Sequence, residues 1–258
     1  RRSRRVPGVG VKASTIWYVD APDSMSLLRH VTSSDQGAAR ALVESLFPEY
    51  TVVPSSETSI VDATHASPDE VFVGCYPGVT VVCGPNLFLA KPSSLPDAWT
   101  RPLASDRTYL VSTDPETAWG AFAYWERGAL RRSFSATPIY IYEDTGLPLV
   151  WERPFWAGEH PLMYPPGVMP DPQSLPFHPQ EFAEAANAEW LGFRYTEAPR
   201  GEELDPHSLP VSGFTLYAPG QLPPNQQPPS VTDSTPPKQP RPRSITRWWR
   251  RKSPEPRS

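Results

Sequence analysis

Long apolar runs are missing from this sequence, and cysteine is scarce. The longest nearly apolar run, residues 71–84, spans 14 residues with Pro77 and Gly78 in its middle, whereas a membrane-spanning helix needs about 20 apolar residues. The arginines within residues 1–5 are not followed by the apolar stretch of about 7 to 15 residues that a secretory signal requires. We therefore expect a cytoplasmic protein without a transmembrane segment.

Proline is abundant instead. It accounts for 35 of the 258 residues, where a share of roughly 5% is usual. A proline inside a helix removes a backbone hydrogen bond and clashes with the preceding turn. The composition therefore excludes long uninterrupted helices, and with them coiled coils, helical bundles and helical repeats.

The two cysteines, Cys75 and Cys83, flank a turn signal at residues 76–79, which has proline and glycine at its centre as a type II turn prefers. In that hairpin, Cys75 faces Thr80 and Cys83 faces Phe72. The two sulfur atoms then lie about three strand residues, or roughly 10 Å, apart, which is beyond the reach of a disulfide. We expect two reduced and buried thiols.

Charge is distributed unevenly along the chain, although the net charge is only −4. Residues 1–10 contain four arginines, residues 11–217 contain 12 basic and 26 acidic residues, and residues 218–258 contain eight basic and two acidic residues. The last segment also holds 11 prolines, a composition that cannot bury enough apolar surface to fold. We predict a disordered stub at 1–10, one globular domain at 11–217 and a disordered proline-rich tail at 218–258.

Strand and helix signals within the domain alternate over short distances, which is typical of a single α+β domain. Capping residues before apolar stripes predict two short N-terminal helices and one C-terminal helix. Runs of β-branched and aromatic residues predict six or more strands in a mostly antiparallel or mixed central sheet, and residues 136–178 predict an ordered loop packed over it. The predicted helices are 24–31, a segment from a cap within 33–35 up to Pro48, and 179–191; the predicted strands are 15–20, 50–53, 59–63, 70–74, 79–83, 108–112, and 118–126 with 129–135 as a hairpin.

Five short strings stand out together: residues 15–20, 73–82, 121–126 followed by Gly128, Leu130 and Arg131, 155–160, and 176–179. In combination they resemble an uncharacterised family of actinobacterial proteins, a domain of unknown function. The resemblance covers the chain from about residue 12 to 217 and leaves the stub and the tail outside it. It implies a single cytoplasmic domain, and it implies no activity, substrate or cofactor.

Histidine and carboxylate side chains form one candidate site. If the chain brings them together, His160, His178 and Glu181 could hold a metal ion, and Glu159, His160 and His178 could act as catalytic acid and base, with Asp20 as a further carboxylate. The spacing matches no known zinc motif. In the alternative, structural interpretation His178 caps the helix at 179, Glu181 interacts with the helix dipole, and Glu159 and His160 fasten a loop.

Aromatic residues form a second candidate site. Trp151 and Trp156 fall in loop sequence, where they could bind a ligand together with Asp20, while Arg131 or Glu126 lies at the rim of the cleft. The alternative is that the aromatic residues make the core of a two-layer domain. The full set is Trp17, Tyr18, Trp119, Phe122, Tyr124, Trp125, Trp151, Phe155 and Trp156.

Other kinds of chemistry find no support in the sequence. A Gly-x-Ser-x-Gly nucleophile elbow is absent, and Gly8 and Gly10 precede the first strand, whereas a dinucleotide-binding loop must follow one. A net charge of −14 over residues 11–217 opposes nucleic-acid binding by the folded domain. We predict a binding or interaction module for an unknown protein or small ligand, with the cofactor unknown. The alternative is a small metal-dependent or acid–base enzyme, hydrolase-like, that uses the histidine and carboxylate set.

The tail contains a segment that interleaves two tryptophans with four cations. This composition suits weak contact with an anionic lipid surface, a nucleic acid or an acidic partner. The alternative is a tail that stays solvated or folds back transiently on its own acidic domain. The residues of the segment are Arg247, Trp248, Trp249, Arg250, Arg251 and Lys252.

Deletion of residues 219–258 is expected to leave the melting temperature of the domain nearly unchanged, because a segment this rich in proline contributes little buried apolar area. Thermal unfolding followed by circular dichroism tests this. A fall of more than about 4 °C, equivalent to about 1 kcal/mol in a domain of this size, would contradict it.

Cosedimentation with anionic vesicles at low and high salt, for the full and the truncated chain, separates lipid contact from a solvated tail.

Overall fold

The computed structural model describes residues 11–162, 171–196, 199, 203–221 and 223. Within them the chain forms one antiparallel sheet of nine strands, together with five α-helices. The predicted α+β class with six or more strands in one mostly antiparallel sheet is confirmed. The strands are β1 (Ala13–Val19), β2 (Thr51–Ser59), β3 (Glu70–Tyr76), β4 (Val79–Cys83), β5 (Arg107–Asp114), β6 (Trp119–Glu126), β7 (Ala129–Thr137), β8 (Tyr140–Gly146) and β9 (Pro210–Tyr217).

The strand order across the sheet is β2-β9-β3-β4-β1-β5-β6-β7-β8, so β1 lies at the centre and β2 and β8 at the two edges. Strands β5 to β8 form a meander of neighbouring antiparallel pairs. Strand β9 returns from the C-terminal part of the chain and inserts between β2 and β3. The stub at 1–10 and nearly all of the tail lie outside the described residues, so their disorder stays a prediction.

Both faces of the sheet are covered. On the first face the longer N-terminal helix packs through Val43, and on the second face the C-terminal helix packs through Phe182; both side chains are completely buried. Neighbouring residues of β1 are buried on opposite faces of the sheet: Ile16 packs into the core of the first face and Trp17 into that of the second. The helices are α1 (Ser24–Leu28), α2 (Gln36–Leu46), α3 (Asp97–Thr100), α4 (Arg153–Trp156) and α5 (Pro179–Leu191).

The two longer helices begin and end as their sequences predict. The carboxylate of Asp35 accepts a hydrogen bond from the Ala38 N–H at 2.9 Å at the start of α2. Nδ1 of His178 accepts one from the Gln180 N–H at 3.3 Å at the start of α5, and α5 ends at Gly192, whose φ of 82° is left-handed. No helix within the described ranges is long and apolar enough to cross a membrane.

Several predicted boundaries were wrong. The helix at 24–31 ends at Leu28, and β2 extends from Thr51 to Ser59, well beyond the strand predicted at 50–53. Residues 60–63, predicted as strand, instead form a turn that leads into a 3₁₀ helix at Asp62–His65. The region 136–178, predicted as loop, contains β8 and α4, and β9 was not predicted. Strand β8 lies at an edge with both of its faces largely exposed, so its sequence carries no apolar alternation from which to recognise a strand.

The hairpin of β3 and β4 has the predicted register, in which Cys75 pairs with Thr80 and Cys83 with Phe72. It lies between β9 and β1, and its apolar residues reach the cores on both faces, so its central position is confirmed. Both cysteines are free. Cys83 is buried as predicted, whereas Cys75 is only half-buried, because β3 presents it near the end of the hairpin.

The two thiols are expected to differ in reactivity. Burial raises the pKa of Cys75 to about 11, so about a thousandth of this thiol is ionised at pH 8, and its alkylation should accelerate tenfold per pH unit up to that pKa. Burial also raises the pKa of Cys83, which is 2% exposed and should react far more slowly than Cys75 until the protein unfolds. Alkylation rates of Cys75→Ser and Cys83→Ser, native and in denaturant, measure each thiol separately. Rapid labelling of native Cys75→Ser at pH 7 would contradict the burial of Cys83.

Candidate functional site

A cleft of about 590 Å³ opens at the end of the sheet where β1 and β6 begin and β4, β5 and β7 end. We call it the larger cleft. Most of its lining is apolar, and hydroxyl groups supply much of the remainder. Because each of these strands contributes only its last or first residues, the site is built from positions far apart in sequence. The residues that define it are Lys12, Thr15, Phe88, Asp114, Trp119 and Tyr142.

An ion pair stands at the mouth of the larger cleft. Nζ of Lys12 lies 3.3 Å from Oδ2 of Asp114 and 5.4 Å from the centre of the Phe88 ring. The lysine side chain is half-exposed, so the pair contributes little to stability. Lys12 and Asp114 are the two charged side chains among the described residues of the lining. Because their charges cancel, the described lining has no net charge.

Two aromatic rings form a fixed wall of the larger cleft. Nε1 of Trp119 donates a hydrogen bond of 2.8 Å to the Ser135 hydroxyl, which sets the orientation of the indole. The Phe88 ring lies beside it, with 6.2 Å between the ring centroids. Because Trp119 is 8% exposed, this wall needs little rearrangement to receive an apolar ligand.

The floor of the larger cleft carries polar atoms within an apolar surrounding. Thr15 and Cys83 both line it, and the Thr15 hydroxyl accepts a hydrogen bond of 3.1 Å from Nε1 of Trp17. Burial raises the pKa of the neighbouring Tyr195 well above its usual value, and Cys83 raises it further. Tyr195 therefore stays protonated at neutral pH, and its buried hydroxyl makes no hydrogen bond of normal geometry among the described residues.

A second, smaller cleft of about 430 Å³ lies at the opposite end of the sheet, where β5 begins and β6 ends. Its lining includes Arg107, Tyr109, Tyr124, Trp151 and Trp190. The Tyr109 ring stacks on the rings of Tyr124 and Trp190, with centroid distances of 5.4 and 4.6 Å. These stacked rings form part of the wall of the smaller cleft.

A buried ion pair holds the segment that carries Trp151 and Trp156. Arg132 on β7 binds Glu152 through two parallel hydrogen bonds of 2.8 and 2.9 Å, and both side chains have no exposed surface. The same carboxylate accepts hydrogen bonds from the Leu149 N–H at 3.0 Å and from Nε1 of Trp156 at 3.1 Å. With four donors around it, the buried carboxylate is fully compensated.

The guanidinium of Arg132 is equally well satisfied. It donates to Asp144 and to the Thr145 carbonyl on β8, and its carbon lies 5.9 and 5.8 Å from the ring centres of Phe122 and Phe134. Burial lowers the pKa of Arg132, but Glu152 and Asp144 outweigh this and raise it above its usual value. Arg132 therefore remains charged, and β7, β8 and the helix α4 are fastened to each other.

The histidines and acids of the predicted metal or acid–base site lie as follows. His178 is the cap of α5, and the exposed Glu181 lies in the first turn of that helix. The exposed His160 ring stacks on Phe155 at 4.0 Å between centroids, and the exposed Glu159 donates its N–H to the Pro154 carbonyl at 2.9 Å. The two histidine segments are neighbours, because Phe155 also contacts Phe177.

Asp20 is not placed with them. Its carboxylate accepts a hydrogen bond from the Asp106 N–H at 2.8 Å at the far end of β1, whereas the start of α5 abuts Gly120 at the opposite sheet end. Along β6, six residues separate the level of Asp20 from the level of Gly120, which corresponds to about 20 Å. Among the described residues no group of three or more His, Cys, Asp or Glu side chains could hold a metal ion.

Most of the aromatic residues considered for a cleft belong to the core: Trp17, Tyr18, Phe122 and Trp125 are at most 3% exposed. Trp156 packs on Phe134, Phe177 and Phe182 within the second layer. Trp151 lines the smaller cleft, and its buried Nε1 has no hydrogen-bond partner among the described residues.

The predicted rim residues Glu126 and Arg131 form an ion pair of 2.8 Å. Burial raises the pKa of Tyr124, Glu126 raises it further and Arg131 lowers it. Glu126 and Arg131 therefore both influence the pKa of Tyr124, which lines the smaller cleft.

Sequence reasoning did not identify the larger cleft, although Trp119 was among the aromatic residues considered for a ligand site. Lys12, Phe88, Asp114 and Tyr142 belong to four separate segments that form no motif. No signal along the sequence indicates which strand ends meet at this end of the sheet.

Replacement of Glu152 by glutamine is expected to destabilise the fold by roughly 3 kcal/mol, because it removes the buried counter-ion of Arg132 and leaves only the partly exposed Asp144 to balance its charge. The matched control is Glu126→Gln, which breaks an exposed arginine–glutamate pair and should cost less than about 1 kcal/mol. Urea unfolding of both variants measures the difference. Equal losses in the two variants would show that the buried pair has no special role in stability.

Comparison with known proteins gives a family and nothing further. No curated protein and no solved structure matches the chain. A family model matches residues 13–214, which run from the first residue of β1 into β9. The resemblance seen in the sequence strings is thereby confirmed, while an actinobacterial origin stays a prediction. The chain belongs to a family of unknown function, DUF6928.

Proposed function

We propose that this domain is a binding module that holds a small, neutral, largely apolar organic molecule in the larger cleft. The observation that carries the proposal is the cleft itself. Its volume of about 590 Å³ falls within the range of roughly 300 to 1,000 Å³ that is usual for ligand sites. Its lining also has the composition of such sites, mostly apolar with a few polar groups.

The aromatic wall favours a flat or ring-containing ligand. Phe88 and Trp119 present neighbouring rings, and Tyr142 is 40% exposed at the same cleft. Rings of this kind bind apolar surface through large contact areas and prefer offset or edge-to-face contact with another ring.

The charges of the lining favour a neutral ligand. Lys12 and Asp114 neutralise each other at 3.3 Å, so a charged ligand group would have to break that pair in order to gain a partner. Hydrogen bonds to the hydroxyl groups on the floor, above all that of Thr15, would orient one polar group of a neutral molecule without that cost.

The competing enzyme interpretation has less support. A metal-dependent or acid–base site needs Glu159, His160, His178 and Glu181 to converge, and two of these residues already have structural contacts, His178 as a helix cap and His160 in a ring stack. The predictions of a cytoplasmic location, a disordered tail and a weak tail contact with anionic surfaces stay predictions, and the cofactor stays unknown.

Nile red, a neutral apolar dye, serves as the probe for the larger cleft. We expect saturable binding with a blue-shifted emission, and an affinity about tenfold weaker for Phe88→Ala, which removes one ring of the wall and thereby about 1.4 kcal/mol of binding free energy. Fluorescence titration at constant ionic strength gives both affinities.

Tyr50→Ala is the matched control, because Tyr50 is an exposed aromatic residue that packs on Phe47 and does not line the cleft. It should bind the dye as the unchanged protein does. Absence of saturable binding, or an equal loss in Phe88→Ala and Tyr50→Ala, would overturn the proposal. Native mass spectrometry of freshly purified protein provides an independent search for the natural ligand.

A further inference from the structure

The smaller cleft is lined by charged side chains of both signs, Arg107, Asp23 and Glu189. In the part of the chain that the structure describes, none of the three belongs to an ion pair. The larger cleft differs in this respect, because its two charged side chains lie 3.3 Å apart and neutralise each other. The smaller cleft has a volume of about 430 Å³, which is usual for a small-molecule site, so its unpaired charges are available to a ligand.

Arg107 is held in place and still has N–H groups to offer. A guanidinium has five N–H donors, and Nη2 of Arg107 donates to the Ala21 carbonyl. Burial raises the pKa values of Tyr109 and Tyr124, and the positive charge of Arg107 lowers both, so the guanidinium lies close to these two tyrosines of the cleft. A carboxylate suits the remaining donors best, because it can accept two parallel hydrogen bonds from a guanidinium.

The two acids belong to the helices that cover the sheet at this end. Asp23 is the cap residue of α1 and accepts a hydrogen bond from the Ser26 N–H at 2.9 Å, and Glu189 lies in the last turn of α5. The Ser24 hydroxyl donates to the Trp190 carbonyl at 3.1 Å, which ties the two helices together. Both acids are exposed, so they can approach a cation without first being freed from a basic partner.

The aromatic wall of the smaller cleft suits a positively charged group. Trp151 and Trp190 are half-buried rings that stand perpendicular to each other, at 88° and with 6.0 Å between the centroids. Tyr124, also half-buried, lies 6.2 Å from Trp190. The faces of such rings attract ammonium groups, and quaternary ammonium groups are typically bound by several rings together.

We propose that the smaller cleft binds a small zwitterion, a molecule that carries both an alkylated ammonium group and a carboxylate. The carboxylate of the ligand binds Arg107, and the ammonium group lies against the tryptophan rings near the two acids. Arg107 and Tyr109 are two residues apart on the same face of β5, or about 7 Å, and the Tyr109 ring stacks on Trp190 at 4.6 Å. A ligand whose two charges are a few bonds apart therefore reaches both positions.

A ligand with one charge fits this lining less well. An anion gains Arg107 but meets two unpaired acids, and the excess of 26 acidic over 12 basic residues in 11–217 repels it on approach. A cation gains the acids and the rings but leaves the guanidinium charge unpaired beside it. A zwitterion satisfies both sets of charges at once.

γ-Butyrobetaine serves as the probe, together with two relatives of the same shape that carry one charge each. Butyltrimethylammonium has a methyl group in place of the carboxylate, and 5,5-dimethylhexanoate has a carbon atom in place of the ammonium nitrogen. Isothermal titration calorimetry of the full chain at constant ionic strength should show saturable binding of γ-butyrobetaine with a Kd below about 1 mM, and binding about tenfold weaker or less for each relative. No saturable binding of γ-butyrobetaine, or an equal affinity for either relative, would overturn the proposal.

Variants assign the binding to the smaller cleft. Arg107→Gln should weaken γ-butyrobetaine about tenfold and remove the preference for it over butyltrimethylammonium, because the carboxylate loses its partner. Glu189→Gln, at an exposed position, should weaken γ-butyrobetaine and butyltrimethylammonium alike. The matched control is Arg40→Gln, the same change at an exposed arginine of α2, which should bind as the unchanged protein does. Circular dichroism reports on the folding of each variant.

The two clefts can be judged separately. Phe88→Ala should leave γ-butyrobetaine binding unchanged, and Arg107→Gln should leave Nile red binding unchanged. Equal losses of γ-butyrobetaine binding in Arg107→Gln and Arg40→Gln, a loss in Phe88→Ala, or full binding in both Arg107→Gln and Glu189→Gln would overturn the assignment of a zwitterion to the smaller cleft.

Discussion

The ion pair of Arg132 and Glu152 is the interaction on which the covering of the second face depends. Two charges without exposed surface are costly to desolvate unless every donor and acceptor is matched. Here the carboxylate receives hydrogen bonds from the arginine, from the backbone and from Trp156. These matched hydrogen bonds hold the segment from Leu149 to Trp156 in one arrangement. The helices of that segment are only about one turn long, so helix propensity alone would not stabilise it.

The arrangement of that segment in turn determines the aromatic layer. Phe155 and Trp156 are directed onto Phe177 and Phe182, and these rings pack against β6 and β7. Helix α5 is thereby pressed so closely onto the sheet that a Cβ at Gly120 would collide with the Pro179 carbonyl. Both faces of the sheet are filled in this way, and space for ligands remains at the strand ends.

The sequence was informative wherever local chemistry decides the structure. The proline–glycine turn determined the register of β3 and β4, and Asp35 and His178 marked the starts of α2 and α5. It was not informative where distant segments decide. Strand β8 owes its conformation to pairing with β7, and the larger cleft depends on strand ends brought together by the sheet order. Neither can be inferred from the spacing of residues along one segment.

Residues 11–217 are acidic, whereas the described lining of the larger cleft has no net charge, and this difference affects which ligands the cleft selects. Residues 11–217 contain 12 basic and 26 acidic residues, and such an excess repels anions over about one Debye length at physiological salt. The described lining of the cleft has no net charge, because Lys12 and Asp114 cancel. An anion is therefore disfavoured on approach, and a cation finds no unpaired carboxylate within the described lining. A neutral molecule meets neither obstacle, so selection depends on the shape of the aromatic wall and on the hydroxyl groups of the floor.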